Sequence, residues 1–149
     1  MCIIVDANVI SRVLLRPLDP DFAPVNARLF AASGRITKLV YGGKKLREEY
    51  HRVRSVVGII SQLDRLGRIR IVPDGEIDAE EKSLIEGGDC ESDDEHILAV
   101  ARIAHVRVLV SHDQELHSDF KNHKFLSSPR GRVYQNADHT HVLGLCDTT

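Results

Sequence analysis

Two acidic residues lie just beyond apolar runs of the sequence. Asp6 directly follows Cys2–Val5, and Asp113 follows Arg107–Val110 after Ser111 and one histidine. Both β-branched runs are predicted to be strands. The carboxyl ends of parallel strands meet at one edge of a sheet, which is where ligands collect in such folds. We therefore expect the two carboxylates to face one crevice.

Each of these acids also has a structural explanation that needs no ligand. Helices are expected after both Asp6 and Asp113, and an Asp at that position caps the helix and stabilises it by about 1 kcal/mol. Asn8 adds a second polar group two residues after Asp6, able to orient the carboxylate or a bound water. Capping and ligand binding therefore remain open for both acids.

A third acid precedes an apolar helix. Asp94 lies three and four residues before Ile97 and Leu98, so it falls at the end of the buried stripe of that helix. Asp93 is expected on the solvated side of the helix, where its charge only interacts favourably with the helix dipole. A carboxylate that points inward needs a partner, because burying an unpaired charge is costly.

A fourth acid comes from the helix predicted to begin at Lys44. Glu49 lies three residues after Leu46 and four before Val53, next to the apolar stripe. Glu48 is placed for an ordinary surface ion pair at i, i+4 spacing. Glu49 is therefore expected to face inward, with Glu48 as the alternative.

Together, Asp6, Glu49, Asp94 and Asp113 form a candidate set of metal ligands. Four carboxylates repel one another in a shared pocket unless a cation offsets their charge, and hard divalent cations prefer oxygen ligands. Mg²⁺ or Mn²⁺ is the expected ion. Such an ion lowers the pKa of a coordinated water and so supplies a nucleophile for hydrolysis.

Charge is strongly segregated along the chain. Residues 1–73 carry 13 Lys or Arg against 6 Asp or Glu, whereas residues 74–95 carry 1 against 11. The acidic segment either holds cations or forms a solvated helix face. The basic half can attract the phosphates of RNA or DNA, with salt-dependent binding that is largely blind to sequence. The candidate contacts to that backbone are Arg12, Lys44, Lys45 and Arg47.

The elements that must position these residues alternate between short β-branched runs and longer runs of helical period. This alternation predicts βαβ units, and hence an α/β fold with a parallel sheet in one domain over residues 1–149. The capping-box pattern of Ser92 and Glu95 marks one helix start. Strands are predicted at Cys2–Val5, Ile36–Val40, Arg68–Val72, Arg107–Val110 and Arg132–Tyr134. Helices are predicted at about Ala7–Arg16, Pro24–Ser33, Lys44–Ser55, Val56–Leu66, Asp78–Glu86, Asp93–Ala104 and Gln114–Lys121.

Composition excludes several other classes of protein. The chain has 149 residues, of which 42% are apolar and 28% charged, as in a globular domain. Its apolar runs reach about five residues, far short of the ~18 that a membrane helix needs. The first residues lack the features of a signal peptide. Cys2, Cys90 and Cys146 form no Cys-x-x-Cys pair, so a reducing cytoplasm is the expected location.

Four segments resemble the acidic motifs of PIN-domain nucleases. The segments are Ile3–Val9, Leu46–Tyr50, Asp93–Ala101 and Leu109–Leu116, which follow the order of that family over nearly the whole chain. By this resemblance the family's first acid and its Asn partner fall on Asp6 and Asn8, the helix acid on Glu49, the third acid on Asp94, and the Ser/Thr-x-Asp motif on Ser111 and Asp113.

The resemblance implies a Rossmann-like, three-layer α/β/α PIN domain with a mostly parallel sheet. It also implies an acidic Mg²⁺ or Mn²⁺ site and an endoribonuclease that hydrolyses RNA, with single-stranded DNA as an alternative substrate. A toxin with a partner antitoxin fits members of this kind, and such members often form homodimers. Glu115 and Asp119 are candidate accessories beyond Asp113, so the number of metal ions stays open.

Other functions are compatible with parts of the sequence. A PIN-like RNA-binding or scaffold protein without activity is the main alternative. A zinc or catalytic site built from His112, His117, His139 and His141 lacks supporting Cys/His spacing. A receiver domain would place an acidic cluster, rather than one acid, at the first strand end. The segment Gly42–Lys45 lacks the full phosphate-loop pattern and is expected to be a turn.

Overall fold

Five parallel strands form the sheet of the computed structural model, which describes residues 1–144. The spatial order of the strands is β3-β2-β1-β4-β5. At the centre, Ile4 of β1 pairs with Leu109 of β4, and both residues are fully buried. Burial on both faces explains why the central strands are continuously apolar. The strands are β1 (Cys2–Val5), β2 (Lys38–Gly42), β3 (Ile69–Val72), β4 (Val108–Val110) and β5 (Arg132–Tyr134).

The described residues form eight α-helices and one short 3-10 turn. Apolar side chains from helices and strands join in one continuous core. The 3-10 turn covers Ala137–His139. The helices are α1 (Ile10–Leu15), α2 (Ala23–Phe30), α3 (Lys44–His51), α4 (Val56–Arg65), α5 (Asp74–Gly87), α6 (Glu95–Ala104), α7 (Gln114–Lys121) and α8 (Thr140–Gly144).

The chain connections reverse direction at the centre of the sheet. From β1 the chain moves outward through β2 to β3, and it then crosses back to β4 and continues to β5. Right-handed crossovers in opposite directions put helices on opposite faces, which gives three layers. The reversal leaves a crevice between the carboxyl ends of β1 and β4, where ligands bind in sheets of this topology.

The predicted α/β class and parallel sheet are confirmed, and β5 and α7 occupy the predicted residues. The second strand lies two residues later than predicted. Ile36 remains outside the sheet and half exposed, whereas Gly42 ends the strand and pairs with Val72. A Cβ at Gly42 would clash with the backbone of Val72, so the close strand approach requires this glycine.

The first helix begins three residues later than predicted. Residues 6–9 instead form a turn in which the amide of Val9 donates to the carbonyl of Asp6 at 3.1 Å. α1 has Val9 at its N-cap and no side-chain cap. The carboxylate of Asp6 therefore does not cap this helix.

The predicted capping box of Ser92 and Glu95 is wrong. α6 begins at Glu95, and Asp94 occupies its N-cap position without a side-chain cap bond. The hydroxyl of Ser92 instead accepts a hydrogen bond from the amide of Asp94 at 3.3 Å. The loop before α6 thus has its own turn structure, which the Ser-x-x-Glu spacing did not predict.

Other helix boundaries also differ from the prediction. α5 begins at Asp74, four residues early, because Pro73 precedes it and Asp74 and Glu76 favour its first turn. α3 ends at His51, and Ser55 adopts a left-handed conformation before α4. α8 was not predicted, since five residues carry too little periodicity.

Two features bear on the expected location of the protein. No helix within residues 1–144 has the length and apolar character needed to cross a membrane. Cys2 and Cys90 carry free thiols. Cys146 lies outside the described residues.

Candidate functional site

Asp6 lies at the carboxyl end of β1, in the central crevice. Its side chain is buried, and its amide donates to the carbonyl of Val110 at 2.9 Å, which continues the pairing of β1 with β4. Oδ2 of Asp6 accepts a 2.8 Å hydrogen bond from the hydroxyl of Ser111. The backbone amide of Asn8 also donates to this carboxylate, whereas the Asn8 side chain is exposed.

Asp113 follows β4 and begins α7 as its N-cap residue. Oδ1 accepts hydrogen bonds from the amides of Glu115 at 3.0 Å and Leu116 at 3.2 Å. The Asp113 amide donates to Oγ of Ser111 at 3.0 Å. Capping is therefore a real role of Asp113, and it uses one carboxylate oxygen. The Asp113 carboxylate also contacts Asp94, so Asp113 caps α7 and lines the crevice at the same time.

Asp94 lies in the loop before α6, and the buried carboxylate of Asp119 holds this loop in place. Asp119 of α7 accepts hydrogen bonds from the amides of Glu91 and Ser92, each at 2.9 Å. Asp119 is thus a structural residue rather than the accessory ligand considered from sequence. Asp94 is half-buried beside the crevice, and the neighbouring Asp93 is exposed, as the apolar spacing predicted.

Glu49 is the acid of α3 that turns toward the crevice, while Glu48 is exposed. The next residue, Tyr50, is fully buried and donates from its hydroxyl to the carbonyl of Val5, at the end of β1. This bond ties α3 to the first strand. The bond orients α3 so that Glu49 lies beside Asp6. The negative charge of Glu49 helps to raise the pKa of Asp6.

Mutual repulsion and burial mark the four carboxylates as one electrostatic group. Burial raises the pKa of Asp94 to about 6, and the negative charges of Asp6 and Asp113 add to this effect. Burial likewise raises the pKa of Asp6, although its hydrogen bond from Ser111 opposes the shift. We refer to Asp6, Glu49, Asp94 and Asp113 as the acidic site.

Glu49 differs from the other acids because positive charge surrounds it. Burial acts to raise its pKa, but contact with His96 and the charges of Lys45 and Arg52 outweigh burial, so the pKa is lowered. Glu49 is therefore ionised more readily than Asp94. The acidic site thus combines one readily ionised carboxylate with two, Asp6 and Asp94, whose charged forms burial opposes.

His96 is a site residue that the sequence reasoning missed. Its side chain is only 2% exposed, with Nε2 at 2.6 Å from Oε1 of Glu49 and Nδ1 at 4.0 Å from Oδ1 of Asp94. Nε2 of His96 and Oε1 of Glu49 are therefore each other's buried polar contact, whereas Nδ1 has no hydrogen-bond partner among residues 1–144. Its sequence position, two residues after Asp94 and within an otherwise apolar run, could have identified it.

The histidines considered from sequence serve other contacts. Nε2 of His117 meets the carbonyl of Ser111 at 2.7 Å, and Nε2 of His112 meets that of Gln135 at 2.9 Å. Burial lowers the pKa of His117, which favours a neutral structural imidazole. Within residues 1–144, neither histidine belongs to a zinc-type cluster.

The acidic site is not a ready-made metal cage. Among residues 1–144, no three His, Cys, Asp or Glu side chains stand in a metal-ligating arrangement. The donor chemistry nevertheless suits a divalent cation, because burial and neighbouring negative charge raise the pKa values of Asp6 and Asp94, and a cation would offset both effects.

Two of the four predicted phosphate contacts are already neutralised. Arg12 binds Asp19 at 2.9 Å and Asp21 at 2.9 Å and lies over the ring of Phe22. These bonds hold Arg12 as a bridge between α1 and the segment before α2. Its guanidinium is therefore committed within the fold.

Arg47 is held in the same way, since its guanidinium binds the carboxylate of Asp74, whose pKa this contact lowers. Lys44 and Lys45 are exposed at the start of α3. The Lys45 ammonium donates to the carbonyl of Asp93 at 3.3 Å, which brings it to the rim of the acidic site. The two lysines are therefore the available cations of the predicted set.

No protein-family model matches this chain, and no curated protein matches it with significant similarity. The resemblance to PIN-domain nucleases therefore rests on the four motifs.

Proposed function

We propose that this protein is a metal-dependent, PIN-like endoribonuclease. One observation carries the proposal: four separate chain segments converge on a crevice at the carboxyl edge of the sheet, where Asp6 and Asp94 both have raised pKa values. A fold gains nothing from clustering acids that repel one another, so the arrangement points to a positive ligand. Mg²⁺ or Mn²⁺ is the cation class that such oxygen donors bind.

Each acid has a distinct part in this proposal. Asp6, fixed by Ser111, would be the central ligand, with Asp113 from the segment after β4 and Asp94 from the loop before α6 beside it. Glu49, whose pKa is lowered, would contribute a ligand from α3. A bound cation would supply charge neutralisation and an activated water for attack on phosphorus. No covalent intermediate with the protein is required.

RNA is the proposed substrate, and the basic surface supports that choice. Lys45 lies at the rim of the acidic site, and Lys44 is exposed one residue before it. Point charges of this kind bind phosphates without reading the bases. Single-stranded DNA offers the same phosphates, so a comparison of the two substrates separates them.

The decisive test compares the wild-type chain with Asp6→Asn. Asn keeps the size of the side chain but removes the charge, so the variant should fold and bind single-stranded RNA while losing essentially all Mg²⁺- or Mn²⁺-dependent cleavage. Asp93→Asn, at an exposed acid near the site, is the matched control and should retain cleavage. Cleavage that survives in Asp6→Asn, in protein free of contaminating ribonucleases, would falsify the metal-site mechanism.

The same experiment addresses the scaffold alternative. An inactive RNA-binding protein would show no cleavage in either version and unchanged RNA binding in Asp6→Asn. For the enzyme, the proposed setting is a toxin–antitoxin pair. A small antitoxin-like reading frame beside the gene would support that setting, and its absence would favour RNA processing or defence.

A further inference from the structure

A cavity of about 420 Å³ opens beside the carboxyl ends of β2 and β3. It lies at the same edge of the sheet as the acidic site, because all the strands are parallel. Its volume falls within the range of about 300–1,000 Å³ that is typical of ligand pockets in proteins. The walls come from β2, β3, α3 and the start of α5, and none of the four acids lines it.

The sheet side of the cavity presents apolar surface to solvent. Ile71 of the edge strand β3 lines the cavity and is 69% exposed. Tyr41 pairs with Ile71 in the register of β2 and β3, so the two side chains are neighbours on one face of the sheet. The hydroxyl of Tyr41 lies 2.7 Å from Nε2 of His51, and this contact holds the ring in place. The cavity therefore has a fixed apolar wall that the fold leaves uncovered.

Arg47 adds a guanidinium group whose edge is paired and whose plane is fixed. Its Nε donates to Oδ1 of Asp74 at 3.1 Å, and Nη2 also binds this carboxylate. A two-point contact of this kind fixes the orientation of the planar group. The hydrogen bonds use the edge of the guanidinium, whereas stacking uses its faces, and the Arg47 side chain is 36% exposed. Arg47 is therefore suited to stack on a flat ring rather than to bind a phosphate.

The start of α3 connects the cavity with the acidic site. Arg47 and Glu49 are two residues apart and so lie on opposite sides of this helix. Lys44 shares the side of Arg47 at i, i+3 spacing, and Lys45 shares the side of Glu49 at i, i+4 spacing. A phosphate chain that crosses the start of α3 would therefore meet one lysine on each side.

We propose that the cavity binds one nucleobase of the RNA substrate, stacked on Arg47 and packed against Tyr41 and Ile71. The proposal rests on the proposed function, because it positions a nucleotide of the strand that the acidic site would cleave. The unpaired bases of a single strand are the flat groups that aromatic rings and guanidinium planes bind. Stacking tolerates every base, so the cavity selects single-stranded RNA without reading its sequence.

The first test compares two labelled single strands of equal length, one with all its bases and one built from abasic nucleotides. Fluorescence anisotropy measures their binding to the wild-type chain in a chelator, so that no metal-dependent cleavage takes place. The strand with bases should bind about tenfold more tightly, the scale of one stacked base. Equal affinity for the two strands, or no binding of either, overturns the proposal and leaves the cavity to a ligand other than RNA.

The second test separates stacking from charge. Arg47→Lys keeps the positive charge but removes the planar group, so the preference for the strand with bases should fall at least threefold. Ile71→Ala, which removes apolar surface at an exposed position, should also lower this preference. A preference that survives in both variants overturns the proposal. An equal loss of affinity for both strands in Arg47→Lys also overturns it, because Arg47 would then contact a phosphate.

Matched controls exist for both variants. Arg102 also pairs with a carboxylate, that of Glu80 at 2.7 Å, but it lies at the far end of α6 from the acidic site. Ile85 is an apolar residue of α5 that is likewise exposed. Arg102→Lys and Ile85→Ala should leave the preference for bases unchanged. If Arg47→Lys does not fold by circular dichroism, the comparison of Ile71→Ala with Ile85→Ala decides.

Failure of this proposal is distinguishable from failure of the proposed function, since binding is measured without cleavage. A chain that prefers the strand with bases but never cleaves RNA keeps the base site and loses the nuclease. A chain that cleaves RNA but binds the two strands equally keeps the nuclease and loses the base site.

Discussion

The hydroxyl of Ser111 donates a 2.8 Å hydrogen bond to Oδ2 of Asp6, across 105 residues of sequence. Because Ser111 follows β4 and Asp6 follows β1, the bond joins the carboxyl ends of the two strands where the connections reverse. It favours the ionised form of Asp6, whose pKa burial raises. The same hydroxyl accepts the amide of Asp113, so one fully buried serine positions two acids.

Ser111→Ala should therefore lower both stability and activity. The variant leaves a buried carboxylate oxygen and a backbone amide without a partner, which costs about 1–3 kcal/mol of unfolding free energy. The pKa of Asp6 should rise further, so metal-dependent cleavage should fall without vanishing. Urea unfolding and cleavage assays measure the two effects. Ser118→Ala, at an exposed position of α7, is the control, and equal behaviour of the two variants would contradict the positioning role.

Asp94→Asn should stabilise the metal-free protein at neutral pH. The folded-state pKa of about 6 lies above the ordinary value of 3.8 for an aspartic acid, so the native state holds the proton more tightly than the unfolded state. The favourable contribution is complete below pH 3.8 and is lost as pH rises through 6. Asn never ionises, and Asp94 makes no side-chain cap bond that the change would remove. At pH 7 the variant should be more stable by on the order of 2 kcal/mol.

The measurement is urea unfolding in a chelator between pH 4 and pH 8. The stability difference between Asp94→Asn and wild type should shrink toward zero near pH 4. Asp93→Asn, which removes an exposed charge, should show no such trend. A variant that is less stable than wild type at pH 7 would mean that Asp94 is not held against like charges.

The sequence was most informative where burial is continuous. The strand Cys2–Val5 is wholly apolar and the helix ending at Ala104 is mostly so, and both were predicted within two residues at each end. The inward positions of Glu49 and Asp94 followed from spacing on apolar stripes, because helix geometry relates sequence separation to facing direction.

Long-range polar contacts could not be predicted in the same way. Arg12 and Arg47 lie among the basic residues of the first half, but their engagement by Asp19 and Asp74 depends on the tertiary fold. The apolar run around His96 indicates that this side chain is buried, but no sequence spacing links it to Glu49. Its meaning arises only when α3 brings Glu49 against α6.

Asp119→Asn should destabilise the protein through the loop before α6. Both carboxylate oxygens of Asp119 accept backbone amides, and an Asn side chain must turn its NH₂ group toward one of those donors. We expect a loss of about 2 kcal/mol, typical of a broken bond in a buried charged network. Glu115→Gln, an exposed acid on the same helix, should change stability little. Thermal unfolding of both variants checks the expectation, and a neutral Asp119→Asn would contradict the anchoring role.

Lys44→Ala with Lys45→Ala should weaken RNA binding and flatten its dependence on salt. Each lysine that contacts a phosphate of a single strand contributes about 0.7 to the slope of log K against log salt, so the double variant should lose about 1.4. Arg12→Ala is the control: its guanidinium is bound by Asp19 and Asp21, so it should cost stability but leave the salt slope unchanged. Fluorescence anisotropy with a labelled oligonucleotide from 50 to 200 mM salt, the range over which such contacts dominate, gives both slopes. If Arg12→Ala flattened the salt dependence of RNA binding and the lysine variant did not, the RNA would contact α1 rather than α3.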